Sequence, residues 1–201
     1  MKLIGLTGNF CTGKSTISGF FKELGAYVID ADKITHGLYA TDPSIRCAIE
    51  EIFGRTVFTG GKIDRNKLRK KAFKHPEHLK RLCGITHPKI LNRIKGRIRN
   101  TKKKYVVVEA ALIIETGLVD FFDYLIVVKS TLKKQIERCS KRGFSERDIQ
   151  DRIEYQMPQK QKLRKADYVI NNSYSKRYAK NETIRVWNKI KRNKKSGRSS
   201  K

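Results

Sequence analysis

The octapeptide Gly8-Asn-Phe-Cys-Thr-Gly13-Lys14-Ser15 constrains this chain more than any other feature. It reads G-x-x-x-x-G-K-S, a phosphate-binding loop, and such a loop works only between a buried strand and a helix. Both flanks are present. Lys2–Thr7 is a short apolar run suited to a buried strand. Ile17, Phe20, Phe21 and Leu24 then recur at i, i+3, i+4 and i+7, and Gly25 supplies a helix stop. Glycines let the backbone approach phosphate oxygens without a Cβ clash. Loop N–H groups and the helix dipole form the anion cradle. Lys14 is expected at the β- and γ-phosphates of a nucleoside triphosphate, and the Ser15 hydroxyl on Mg²⁺. Gly8, Cys11, Thr12, Gly13 and Thr16 complete the expected nucleotide-binding set.

The rest of the chain supplies a sheet for this loop. Strand candidates are Lys2–Thr7, Ala26–Ile29, Tyr105–Val108, Tyr124–Val128 and Tyr168–Ile170. All are short and apolar on both faces, as in a parallel sheet covered by helices on both sides. Alternation with helical segments predicts an α/β doubly wound fold of five parallel strands, with ligands at the carboxyl ends. Residues 40–100 carry helical patterns and no convincing strand apart from Thr56–Phe58, so they read as an inserted helical subdomain. After Val128, Leu132–Arg142 reads as a helix ended by Gly143, and Ser145 with Asp148 as the start of another that stops before Pro158. Two arginine-rich helices beside such a core read as a lid over residues 132–165. The expected organisation is one domain over 1–190, with core segments 1–39, 101–131 and 166–190. A basic disordered tail over 191–201 completes it.

Phosphoryl transfer needs positioned phosphates, a metal, charge neutralisation and a group near the attacking hydroxyl. Asp30 and Asp32 close the second strand in Val-Ile-Asp-Ala-Asp. Residues two apart on a strand share a face unless the chain already turns there, and both arrangements stay open. One is expected to accept a proton from the acceptor hydroxyl; the other orients metal-bound water or caps the next helix. Glu109 ends the third strand, where an acid beside Mg²⁺ is expected, through water rather than directly. Glu115 follows as a cap or substrate contact. Arg142 and Arg152 in the lid are expected to close on the phosphates.

The chain has 201 residues, enough for a sizeable core. No apolar run reaches about 18 residues, so no membrane span is expected, and the N-terminus lacks a signal-peptide pattern. A cytoplasmic location follows. Cys11, Cys47, Cys83 and Cys139 form no C-x-x-C pair and read as free thiols, with Cys11 the one in an electropositive setting. The formal net charge is +27. Lys189–Lys201 holds seven Lys/Arg and no acid, so removing it still leaves +20. No RNA-recognition or helix-turn-helix pattern accompanies this charge. A polyanionic small substrate explains it, with nucleic-acid binding weak and non-specific at most.

These residues together resemble the dephospho-coenzyme A kinase family, from about Lys2 to Asn172. The resemblance rests on Ile4–Gly8 leading into Gly13–Thr16, Leu24-Gly25, Val28–Asp32 and Gly61–Arg65. It continues through Leu68-Arg69, Phe73, His87-Pro88, Glu109–Leu118, Arg142-Gly143, Arg152 with Gln156-Met157, and Lys162 with Ala166–Asn172. It implies an α/β P-loop kinase with an inserted helical substrate domain and a helical lid. The implied reaction is ATP- and Mg²⁺-dependent phosphorylation of the ribose 3′-hydroxyl of dephospho-coenzyme A. It further implies Asp32 as general base, with Lys14 and Arg142 as the other catalytic groups. Arg65, His87 and Glu115 would contact substrate, Asn172 would border the adenine, and Ser15 and Glu109 would serve the metal. A monomer or weak homo-oligomer is expected. Asn9, Phe10 and Cys11 depart from the family's glycine-rich loop, and Glu109 from its usual aspartate. The alternatives are another small-substrate kinase of the nucleoside monophosphate type, and a nucleic-acid-binding ATPase.

Overall fold

Apolar runs that read as buried strands do form one sheet in the computed structural model, which describes residues 1–193. In chain order the elements begin β1 (Lys2–Thr7), α1 (Lys14–Glu23), β2 (Tyr27–Asp30), α2 (Ala31–Thr41) and α3 (Pro43–Phe53). Next come β3 (Phe58–Thr59), β4 (Lys62–Ile63), α4 (Arg65–Lys74), α5 (Pro76–Arg99) and β5 (Tyr105–Glu109). Then follow β6 (Tyr124–Lys129), α6 (Leu132–Ser140), α7 (Glu146–Glu154), α8 (Gln159–Lys165), β7 (Tyr168–Asn171) and α9 (Lys176–Arg192). The chain divides into two units, Met1–Asp30 with Thr101–Lys201, and Ala31–Asn100.

The first unit holds a five-stranded parallel sheet of order β2-β5-β1-β6-β7. The strands run one residue past their apolar parts, because parallel pairing continues through Asp30↔Glu109 and Lys129↔Asn171. Polar residues thus end the ladder at the carboxyl edge, where the chemistry is expected. At the other edge Asp123 and Asp167 each precede a strand and accept a neighbouring strand's N–H. Leu3 N lies 2.6 Å from Asp123 Oδ2 and Leu125 N 2.7 Å from Asp167 Oδ2. On one face Ile4, Leu6, Ile126, Val128 and Ile170 pack with Ile17, Phe20 and Phe21 of α1 and Val186, Trp187 and Ile190 of α9. Trp187 meets Tyr105 edge-on, centroids 4.6 Å apart. α8 packs against β6.

The second unit begins at Ala31, before the boundary expected at 40, because α2 packs on α5. α3 and α4 also pack on α5. This insertion is not wholly helical. Phe58–Thr59 pairs antiparallel with Lys62–Ile63, in place of the strand expected over Thr56–Phe58. Gly60-Gly61 carries the positive φ angles, 55° and 71°, that a tight hairpin turn requires. Ser145 caps α7, accepting from Asp148 N (3.2 Å), as its spacing predicts. α9 extends to Arg192, so the expected disordered tail starts too early; residues 194–201 of it lie outside the described residues.

Asp42 organises the second unit. It caps α3 by accepting from Ser44 N and Ile45 N, with Pro43 at the first helical position. It also pairs with Lys89 of α5 at 2.6 Å. Hydrogen bonds from Lys89 and then Ser44 lower its pKa from 3.8 to about 2. A depressed carboxyl pKa adds stability above the unfolded value and loses it as pH falls through the folded one. Asn caps a helix as well as Asp does, so Asp42→Asn removes the charge pair and spares the cap. The Tm of wild type is expected above that of Asp42→Asn at neutral pH. The gap should close as pH falls from 3.8 toward about 2. A gap independent of pH would exclude the charge pair as its source.

Candidate active site

The loop Gly8–Gly13 turns from β1 into α1 at the carboxyl edge of the sheet. Gly13 caps α1 with φ 88°, a left-handed conformation, and a Cβ there would collide with the Asn172 carboxamide. Asn172 Nδ2 donates to Thr12 O (2.8 Å), so glycine at 13 permits a β7 neighbour to hold the loop. No side chain caps α1 and its first turn holds no acid. The helix start is thereby suited to an anion. Lys14 folds over the loop, donating to Gly8 O (3.0 Å) and Asn9 O (3.2 Å). Thr12 Oγ1 donates to Asn9 O (2.9 Å).

Beside the loop, Glu109 at the end of β5 accepts two hydroxyls from α1. Ser15 Oγ lies 2.8 Å from Oε1 and Ser18 Oγ 2.7 Å from Oε2. Ser15 and Ser18 are three apart, so both face β5. Ser15 is exposed while Ser18 and Glu109 are buried. Hydroxyl and carboxylate oxygens are hard donors of the kind Mg²⁺ takes alongside phosphates and water. Among the described residues no group of three or more His, Cys, Asp or Glu could cage a metal alone. The pair fits an ion that arrives with phosphates.

On the other side of the loop lies a cavity of about 600 Å³ lined by Gly13, Ser15, Thr16, Phe20, Arg138, Arg142, Asn172 and Tyr174. Five of the expected nucleotide-site positions, Gly13, Ser15, Thr16, Arg142 and Asn172, thus border one space. Arg138 of α6 stands at its inner wall. It donates to Thr12 O (3.2 Å), Ser130 Oγ (3.2 Å) and Asn172 O (2.7 Å). Burial lowers its pKa, but a guanidinium stays charged. Arg142 is exposed at the rim, and Arg152 instead lies over the rings of Phe10 and Phe144, 4.8 Å from each centroid.

Glu115 has internal partners. Lys162 of α8, fully buried, pairs with it at 2.8 Å and donates to Ala111 O at 3.0 Å. Glu115 Oε1 also accepts from Met157 N (3.1 Å). The carboxylate ties the segment after β5 to the segment before α8.

The cysteine expectation is corrected: Cys11 and Cys139 form a disulfide, while Cys47 and Cys83 are free. A 128-residue separation hides such a pairing in sequence; the sheet order brings α6 beside the loop.

The remaining expected residues lie in the second unit. Asp32 is exposed in the first turn of α2, so Asp30 and Asp32 do not share a strand face: the chain turns helical at Ala31. Arg65, at the start of α4, contacts His36 Nε2. His87 is half-buried in α5, and burial lowers its pKa. Sequence reasoning missed Ser18 and Arg138. The first sits inside an ordinary helix, and the second is one of several basic residues in Lys133–Arg142.

Comparison with known proteins gives a consistent result. The family model described as dephospho-CoA kinase matches residues 2–177. A dephospho-CoA kinase of Aquifex aeolicus is 39% identical over 194 residues, spanning 96% of this chain and 99% of that protein. TT1252 of Thermus thermophilus superposes with a TM-score of 0.81 at 25% identity, covering 94% of this chain and 97% of that one. Dephospho-CoA kinase from Campylobacter jejuni superposes with a TM-score of 0.59 at 28% identity, covering 94% and 96%.

Proposed function

Since the chain belongs to the dephospho-CoA kinase family, we propose that it moves the γ-phosphoryl group of ATP to the ribose 3′-hydroxyl of dephospho-coenzyme A. The products are coenzyme A and ADP, and the reaction closes coenzyme A biosynthesis. The observation that carries the reading is the phosphate loop with Ser15 bonded to Glu109 at one side and the arginine-lined cavity at the other.

The loop N–H groups and α1 hold the phosphates, and Lys14 swings from Gly8 O and Asn9 O onto them. The nucleoside end lies in the cavity, with Asn172 at its border and the Tyr174 ring available to the base. Arg142 closes from the rim, and Arg138 holds the inner wall. Mg²⁺, when bound, neutralises phosphate charge, with the Ser15 hydroxyl as ligand and Glu109 holding that hydroxyl. Asp32 accepts the 3′-hydroxyl proton, and Arg65 and His87 belong to the acceptor side. A cytoplasmic location fits the need for ATP; among the described residues no helix is long and apolar enough to cross a membrane. The +27 charge suits two polyanionic substrates.

ADP release is measured with ATP·Mg²⁺ and, separately, dephospho-coenzyme A, nucleoside monophosphates, DNA and RNA. Turnover is expected with dephospho-coenzyme A alone. Stimulation by nucleic acid, or a nucleoside monophosphate as the better acceptor, would replace this reading. Asp32→Asn should lower kcat about 10²-fold with ATP affinity unchanged, the lower end for a positioned base. A near-normal kcat would remove Asp32 from that role.

A further inference from the structure

Asn9, Phe10 and Cys11 each reach a partner in residues 139–157. Asn9 Nδ2 donates to Met157 O (3.0 Å) and Phe10 N to Gln156 Oε1 (2.7 Å). The Phe10 ring meets Phe144 edge-on at 5.1 Å, with the Arg152 guanidinium over both rings. Cys11 is bonded to Cys139, and the pair packs with Ile149, Phe10, Phe144 and Ile153 in a small apolar cluster. Cys11 is also the only non-glycine among the described residues with positive φ, 55°. That conformation is energetically costly for an L-residue. Where glycine would give the loop its shape freely, this chain holds it by side-chain anchors.

We infer that the Cys11–Cys139 pair is a redox-labile crosslink that fixes the phosphate loop to α6 and keeps it in its nucleotide-binding shape. The direction follows from the loop's geometry. With the crosslink formed, Gly13 opens the α1 N-terminus, Thr12 is held by Asn172 and Arg138, and Lys14 lies over the loop. The oxidised form is therefore the organised one. Formation joins the two Sγ atoms and passes two electrons and two protons to a small-molecule disulfide, which leaves as two thiols. A dithiol reverses the step and leaves as its own cyclic disulfide. Structural disulfides do not persist in a reducing compartment, so the crosslink there reports the thiol–disulfide balance. Reduction leaves Arg138 and the aromatic contacts in place, so the fold survives and the loop loosens.

This inference rests on the loop binding ATP. The test therefore measures binding, stability and thiol count, not turnover. Wild type is equilibrated with oxidised glutathione or with dithiothreitol. Its thiols are then counted with a maleimide after denaturation, which exposes Cys83, whose thiol burial pushes up to about 11. Labelling is expected at Cys47 and Cys83 alone in the oxidised protein, and at all four cysteines after reduction. Reduction should lower Tm by about 10 °C, given the long loop the crosslink closes. It should weaken ATP·Mg²⁺ binding about tenfold, the expected scale for releasing one left-handed L-residue. In Cys139→Ala both shifts should vanish, with the protein matching reduced wild type. Four labelled thiols in the oxidised sample, or a Tm and ATP affinity indifferent to reduction, would overturn the inference. If neither form binds ATP, the proposed function fails, while thiol count and Tm still decide the crosslink.

Discussion

Lys14→Ala is expected to lower kcat about 10²–10³-fold, the range for removing one preorganised contact from a developing anion. The lysine already lies over the loop on the Gly8 and Asn9 carbonyls. It needs only to exchange those carbonyls for phosphate oxygens. Alanine keeps the helix and the loop glycines, so Tm should barely move. Steady-state kinetics with dephospho-coenzyme A, beside a thermal melt, separates the two effects. Loss of activity with an intact melt is the expected pattern. Retained activity would mean that the loop N–H groups and α1 suffice without the ammonium group.

Lys162→Met should have the largest effect on stability. Lys162 is fully buried, and its partner Glu115 is nearly so. Removing one member of a buried ion pair leaves the other charge uncompensated, which destabilises by about 3–5 kcal/mol. Here the stranded group is a carboxylate that keeps only the Met157 N–H, and Ala111 O is left with the Thr7 hydroxyl as its donor. Urea unfolding should show a lower midpoint with an unchanged slope. Adding Glu115→Leu should restore much of the loss, because apolar groups can replace a buried pair at little cost. A single variant as stable as wild type would contradict the pairing. A double variant worse than the single would show that Glu115 serves the Met157 contact more than the lysine.

The sheet and the phosphate loop were legible for the same physical reason. Parallel strands buried on both faces must be short apolar runs, and the loop brings its own strand and helix. Only the strand ends slipped by a residue, where Asp30, Glu109, Lys129 and Asn171 continue the ladder while reading as polar. The carboxylate at Glu109 was legible as a strand-end acid. Its second partner Ser18 was not, since a serine inside a helix carries no periodic signal. Arg138 was masked by the basic background of Lys133–Arg142, where nothing local distinguishes the buried cation from its solvated neighbours; Lys162 stood out through the family resemblance, but its pairing with Glu115 carries no local signal. The disulfide was beyond reach because only strand order sets α6 beside the loop. Asp42 and the Gly60-Gly61 hairpin were readable in principle, from a cap before proline and a paired-glycine turn.

The central claim is the destination of the phosphoryl group, and product analysis tests it most directly. The protein is incubated with ATP·Mg²⁺ and dephospho-coenzyme A, and the acceptor is analysed by mass spectrometry and ³¹P NMR. The expected product is the acceptor carrying one new phosphomonoester on the ribose 3′-oxygen, formed in equal amount to ADP. ADP and inorganic phosphate without phosphorylated acceptor, or a phosphate at another position, would contradict the account.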